Sequence, residues 1–136
     1  MLNIKQIDHL VLRVTDIDAM VNFYTTVLGC SVEKIQHELG LYQLRAGNSL
    51  IDLVTVDGKL GAMGGAPPAA QGRNLDHFCV QIEPFDAEAI ATHLREHGVE
   101  PGVVQSRYGA QGDGPSLYIS DPEDNVVELK GPPWEG

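Results

Sequence analysis

Positive charge is scarce in this chain: nine lysines and arginines stand against 19 aspartates and glutamates in 136 residues. A formal net charge of −10 repels phosphate backbones and anionic head groups alike, so neither nucleic acid nor a membrane surface is expected as a partner. Long apolar runs are missing too. No stretch approaches the roughly 18 to 20 consecutive apolar residues of a membrane span. The opening MLNIKQIDHL has neither the basic nor the apolar region of a secretory signal, and a cytoplasmic location is expected. Cysteine is sparse: Cys30 and Cys79 lack the paired spacing of a zinc finger or a disulfide framework, and both are expected to be reduced. What is plentiful is apolar side chain, 43% of the residues, enough for one good core and a single domain over residues 1–136.

The apolar residues repeat on a pattern. From Gln6 to Val14, Leu10, Leu12 and Val14 alternate with His9, Val11 and Arg13, which predicts a strand with two unlike faces. DIDAMVNFYTTVLG follows with helical spacing, Asp16 or Asp18 as N-cap, Met20 in the core and Gly29 as stop, an amphipathic helix of about three turns. Strands are predicted at Ser31 to Gln36, Leu41 to Arg45 and Ser49 to Val56, the last two joined by a tight turn at Ala46-Gly47-Asn48. The pattern then restarts: a strand from Asn74 to Ile82, a helix from Phe85 to His97 capped by Asp86, and strands at Gly102 to Gln105, Ser116 to Ser120 and Asn125 to Lys130. DPEDN joins the last pair.

The chain thus reads βαβββ twice, an α+β protein with module 1 over about residues 6–56, a Gly-, Ala- and Pro-rich linker over 57–73, and module 2 over about 74–131. IDHLVLRV aligns with LDHFCVQI at an offset of 77 minus 9, or 68 residues. Each half has an apolar sheet face that it cannot bury alone, so the halves are expected to form one continuous sheet structure. A second glycine-rich stretch, RYGAQGDGPS from Arg107 to Ser116, is too irregular for a strand; it reads as a flexible flap over a site or as a plain surface loop.

Parity selects the polar residues that can meet. His9 and His77 lie opposite the helix-covered apolar sets, and Asp52 and Glu128 occupy matching places in the last strand of each half, LIDLV and VVELK. Taken alone, each is better read as a solvated or hydrogen-bonded polar residue. Four such groups at symmetry-equivalent places instead suggest one cavity with a single divalent ion. Imidazole and carboxylate suit Zn, Fe, Mn, Co or Ni, and a cation would offset the cost of burying two carboxylates.

IDHLVLRV, MVNFYTTVLG, LDHFCVQI and SLYISDPEDNVVELKG together resemble the vicinal oxygen chelate superfamily over nearly the whole chain, from Ile7 to Gly131. RYGAQGDGPSLYISDPEDN is similar to a glyoxalase-domain subgroup within it. The superfamily includes glyoxalase I, fosfomycin and bleomycin resistance proteins, methylmalonyl-CoA epimerases and extradiol dioxygenases. The resemblance implies paired βαβββ modules in a half-open barrel around the ion, often within a homodimer, with ligands at His9, Asp52, His77 and Glu128. Glyoxalase I carries Glu at the place of Asp52, so His9, His77 and Glu128 are the firmer three.

Two enzymatic readings follow, with a small molecule as partner in both. In a glyoxalase-like lyase or isomerase, the metal holds two neighbouring substrate oxygens and stabilises an enediolate while Glu128 or Asp52 shuttles the proton. Arg13 is similar in position to an arginine of glyoxalase I that engages glutathione, though it can equally be a rim residue. Val56 stands where glyoxalase I has an asparagine, which argues against glutathione. The alternative is an Fe(II) ring-cleaving dioxygenase with Tyr118 orienting a diol. Arg107 joins Arg13 and Tyr118 as a candidate substrate contact. A metal-free binding or resistance protein is a third class. His93 and His97, four apart on the second helix, do not match a zincin pattern and are read as solvated. Trp134 is either a mobile tail or an anchor onto a partner subunit.

Overall fold

Leu12 and Val14 are fully buried while Val11 between them is half exposed, so β1 (His9–Val14) has the two unlike faces its alternation predicts. In the computed structural model, which describes residues 1–135, two compact units meet in sequence at the end of the predicted linker, one running from Met1 to Asn74 and the other from Leu75 onward. Their element order is the same: strand, helix, three strands. No helix among the described residues is long and apolar enough to cross a membrane.

In the first unit β1 is followed by α1 (Ile17–Asn22), whose N-cap is Asp16: its carboxylate accepts the Ala19 N–H at 3.1 Å. The helix widens into a π-helical turn over Phe23–Val27, where Leu28 N–H reaches the Phe23 carbonyl. Thr25 donates its hydroxyl back to the Val21 carbonyl at 2.7 Å, a side-chain competitor of the kind that loosens helical ladders. Met20 and Tyr24 are fully buried beneath it, with Phe23 edge-on to Tyr24 at 5.1 Å. Gly29, at φ 77, ends the segment where a stop is predicted. The chain then runs through β2 (Ser31–Gln36), β3 (Leu41–Ala46) and β4 (Ser49–Thr55), and a two-residue turn with Gly47 at φ 60 joins the last two.

The second unit repeats the plan with β5 (Phe78–Gln81), α2 (Ala87–Glu96), β6 (Gln105–Gly109), β7 (Gly112–Ser120) and β8 (Val126–Lys130). Asp86 caps α2 by accepting from Ala89 N–H at 3.1 Å, and Gly98 at φ 72 follows its end. His93 and His97 are exposed on α2, as read. In the DPEDN turn the buried Asp121 carboxylate accepts from Glu123 N–H, Asn125 N–H and the Asn125 amide at 2.8–3.0 Å, so the turn carries its own hydrogen-bond acceptor.

Hydrogen bonding assembles two four-stranded mixed sheets, ordered β1-β4-β3-β2 and β5-β8-β7-β6, where one continuous sheet was expected. In each, the first strand lies parallel to the last and the remaining pairs are antiparallel. At the outer edge of β1 the Asn74 side chain takes the backbone groups of Arg13: its oxygen accepts from Arg13 N–H at 3.1 Å and its amide donates to the Arg13 carbonyl at 2.9 Å.

The glycine-rich stretch from Arg107 to Ser116 departs most from expectation. It is the β6–β7 hairpin, paired Arg107 to Gly114, Tyr108 to Asp113 and Gly109 to Gly112, while the strand predicted at Gly102 to Gln105 begins only at Gln105. Glycines erase the alternation by which strands are read, yet their backbones pair as well as any. Trp134 is no mobile tail: its indole donates to Ser106 Oγ at 2.8 Å and its N–H to the Asp113 carbonyl, which lays residues 131–134 along that hairpin.

The parity argument makes a quantitative contrast. Leu12→Ala should destabilise the protein by about 2–5 kcal/mol in urea unfolding, whereas Val11→Ala, one residue away on the other face, should change it by about 0.5 kcal/mol or less.

Candidate functional site

The parallel pairing of first and last strand sets the geometry in both units. Val11 is paired with Asp52 and Cys79 with Glu128, so each carboxylate lies across from the residue two positions after a histidine, on the histidine's own face. Across the other side, Gln43 is paired with Asp52 and Tyr118 with Glu128. A histidine, a carboxylate and a hydrogen-bonding side chain therefore recur on one sheet face of each unit.

In the first unit His9 Nδ1 lies 2.7 Å from the Asp8 carboxylate. A carboxylate can only accept, so Nδ1 carries the proton and Nε2 keeps its lone pair. The imidazole pKa is raised, first by that hydrogen bond and then by the charge of Asp52. Asp52 itself is buried, and the loss of water pushes its carboxyl up; Gln43 and His9 pull it the other way without overcoming burial. The Gln43 amide stands 3.4 Å from both Asp52 oxygens, long for a hydrogen bond.

The second unit is tighter. His77 Nδ1 is 2.6 Å from the Asp76 carboxylate and Nε2 is 3.3 Å from Glu128 Oε1. Tyr118 meets the His77 ring edge-on, centroids 5.4 Å apart, and the Arg107 guanidinium stacks 4.5 Å above the Tyr118 ring. Desolvation, then the neighbouring Glu128 charge, raises the Tyr118 hydroxyl and keeps it a donor. The same two causes push the Cys79 thiol up to about 11, which leaves it unreactive at neutral pH. Both cysteines are free thiols.

The structure thus brings His9 to Asp52 and His77 to Glu128, Tyr118 and Arg107. Each unit by itself offers two of the four expected ligands, and among the described residues no group of three or more His, Cys, Asp or Glu side chains stands close enough to hold a metal ion. The Arg13 side chain is turned toward the linker. Its three guanidinium nitrogens donate to the carbonyls of Gly61, Gly65 and Ala66 at 2.6–3.0 Å, so it fastens the linker to β1. Asp8 and Asp76 were missed in the sequence, although the repeated Asp-His dipeptide was there to signal them. Gln43 had no such signal, since its place beside Asp52 comes from cross-strand register.

Tandem βαβββ units with a histidine–carboxylate pair on matching strands define a class of proteins built by duplication of one module. The family model described as Glyoxalase/Bleomycin resistance protein/Dioxygenase superfamily matches residues 6–129, and the chain belongs to that superfamily. It is similar to the glyoxalase domain-containing protein RDO1 of Mycosarcoma maydis, 35% identical over 94% of this chain and 69% of that one. It is also similar to virulence protein STM3117 of Salmonella typhimurium, 29% identical over 93% of this chain and 83% of that one. Among solved structures, an integron cassette protein from the mobile metagenome of V. cholerae superposes with a TM-score of 0.76 at 28% identity, covering 96% of this chain and 98% of that one.

If Arg13 is a fastener, Arg13→Ala should raise amide hydrogen exchange over residues 61–66 by about tenfold or more while leaving β3 and β4 protected. Arg13→Lys should restore little, because one ammonium cannot reach three carbonyls in a fixed fork. Exchange mass spectrometry reads both outcomes.

Proposed function

We propose that the protein is a metal-dependent lyase or isomerase of the glyoxalase kind, acting on a small molecule that carries two neighbouring oxygen atoms. The observation that supports this most is the duplicated histidine arrangement: in both units Nδ1 is held by the preceding aspartate and a buried carboxylate stands on the same face, in the second unit 3.3 Å from Nε2. A carboxylate holding a histidine from behind is the usual support of a metal-bound imidazole, and two carboxylates removed from water are offset most directly by a cation. The donor set fits one divalent ion of Zn, Ni, Co, Mn or Fe, with His9, His77 and Glu128 as ligands and Asp52 as the fourth, in the half-open barrel the superfamily resemblance implies. Such an ion, when bound, supplies Lewis-acid polarisation to the substrate's paired oxygens.

The chain's own groups divide the remaining work. Asp52, whose proton affinity burial raises, is the better placed of the two carboxylates to take a proton from the carbon beside a carbonyl. Gln43 keeps its carboxylate turned toward the face, and the neutral Tyr118 hydroxyl donates a hydrogen bond to substrate oxygen. Arg107, stacked on Tyr118, fixes the ring and adds positive charge beside it. We read the active form as a homodimer, to be checked by sedimentation.

Protein purified without chelator should hold about one divalent ion per chain by elemental analysis, and His77→Ala or Glu128→Ala should abolish it. Asp76→Asn should weaken metal affinity by roughly 10- to 100-fold without removing a ligand. Wild-type protein that neither holds nor takes up metal would sink the reading. Turnover is read by screening hemithioacetals of several thiols beside catechols with each metal in turn: a catechol consumed with oxygen uptake would overturn the lyase in favour of ring cleavage. Asp52→Asn should lower kcat by about 100-fold or more with little change in KM.

A further inference from the structure

Lys130 keeps only 6% of its surface exposed, and among the described residues no carboxylate forms an ion pair with it. Its Nζ donates to one acceptor, the Gly112 carbonyl at 3.0 Å, although an ammonium has three donors to satisfy. Burying a cation against one neutral oxygen is costly, and proteins keep such groups where they do something else. The surroundings are built for it. A side-chain carbon at Gly109 would sit 2.9 Å from Lys130 Cε and 3.1 Å from Cδ, with nothing nearer, so this glycine of the β6–β7 hairpin makes room for the lysine; one at Gly114 would meet the Pro132 carbonyl oxygen first, at 2.7 Å, with Nζ at 3.1 Å.

A second cation is aimed at the same place. Arg107 is the cross-strand partner of Gly114, and its Nη1 donates to the Ser116 carbonyl and hydroxyl at 2.8 Å, while Ser116 is the partner of Lys130. Arg107 makes no ion pair among the described residues either; Nη2 reaches only the Gln105 side-chain oxygen at 3.3 Å. The one acid on this stretch of β8, Glu128, is engaged by His77 Nε2. In a chain with twice as many acids as bases, two cations thus stand on one sheet face with no ion pair to either among the described residues.

We propose that Lys130 and Arg107, with the Ser116 hydroxyl, form a subsite on the β6–β7 hairpin for one small oxyanion, a carboxylate or phosphate group carried by the substrate. Lys130 supplies two further N–H donors, Arg107 the planar fork, and Ser116 a hydroxyl between them. Because Lys130 follows Glu128 by two residues on the same face, the anion would lie one residue pair along the sheet from the proposed metal ligand. What the anion is attached to rests on the lyase reading; that the subsite takes an anion does not.

The test uses the full chain, freed of metal with EDTA and, in parallel, loaded with Zn. Thermal unfolding is followed in sodium chloride, sodium acetate and inorganic phosphate at equal ionic strength. Wild type should be stabilised by acetate or phosphate beyond chloride, and whichever acts at lower concentration identifies the group as carboxylate or phosphate. Lys130→Met and Arg107→Gln should each weaken that affinity about tenfold or more. In chloride alone Lys130→Met should melt at or above the wild-type temperature, since it removes an uncompensated buried charge. No anion-specific stabilisation of wild type overturns the subsite, and so does a Lys130→Met protein that melts lower in chloride yet keeps wild-type anion affinity, which would make the lysine a structural tie. Gly109→Ala, whose added carbon meets only the Lys130 side chain and so displaces it without touching charge, should copy the loss of anion affinity. Anion binding in protein that takes no metal would leave the subsite standing and remove only the lyase reading; metal uptake without an anion response would do the reverse.

Discussion

The parallel pairing of the first strand with the last is the constraint from which the rest of each unit follows. It forces the intervening helix and hairpin to cross over and return, and it puts residues far apart in sequence on neighbouring strands. Strand parity then acts as a sorting rule. Leu12 and Val14, or Phe78, go to the buried side, and whatever stands between them goes to the other. With register fixed at Val11–Asp52 and Cys79–Glu128, a histidine two residues upstream in each unit is obliged to share a face with a carboxylate. A slip of one residue would send both carboxylates to the apolar side, where burial without a partner is prohibitive. The chemistry of the site and the packing of the core are thus specified by one register.

Much of this was legible in the chain because alternation and duplication are strong signals. The βαβββ order, the caps at Asp16 and Asp86, the stop at Gly29 and the face carrying His9 and His77 all follow from period and parity. What escaped was what depends on glycine and on the third dimension. RYGAQGDGPS looked structureless because a strand is recognised by its side chains, and three glycines remove the evidence while leaving the backbone free to pair. Arg13 has the parity of a site residue, but nothing in sequence shows that Gly61, Gly65 and Ala66 will present their carbonyls to it. The four-ligand site lay legible only as a pattern: structure describes two histidine–carboxylate pairs, one per unit, and the aspartates that hold their rings.

The glycines of the hairpin illustrate how one composition serves two ends. Gly112 at φ 112 is required by the turn, a backbone demand that any lysine-free hairpin could share. Gly114 is required by the path of the chain, since a methyl group there would meet the Pro132 carbonyl oxygen at 2.7 Å. Gly109 is required by something else, the close approach of the Lys130 side chain, which a methyl group there would meet at 2.9 Å. A hairpin that needed only to turn and to pair would not need that third glycine, and it is the one explained by the side chain that lies on top.

Duplication gives two copies of a histidine–carboxylate pair, and their surroundings differ. In the first unit the cation of the site face is committed to the linker, and its neighbours on that face, Val11, Leu50 and Val54, are apolar, so Asp52 sits in surroundings that favour its protonated form. In the second unit the cations remain on the face, Tyr118 bridges Arg107 to His77, and Glu128 is held by an imidazole 3.3 Å away. Burial pushes the Asp52 carboxyl up, with only Gln43 and His9 drawing it back, whereas Glu128 stands beside an imidazole and a phenol on a face that also carries cations. Matching positions in the repeat therefore carry carboxylates in unlike surroundings, and the difference is set by the residues across the strands.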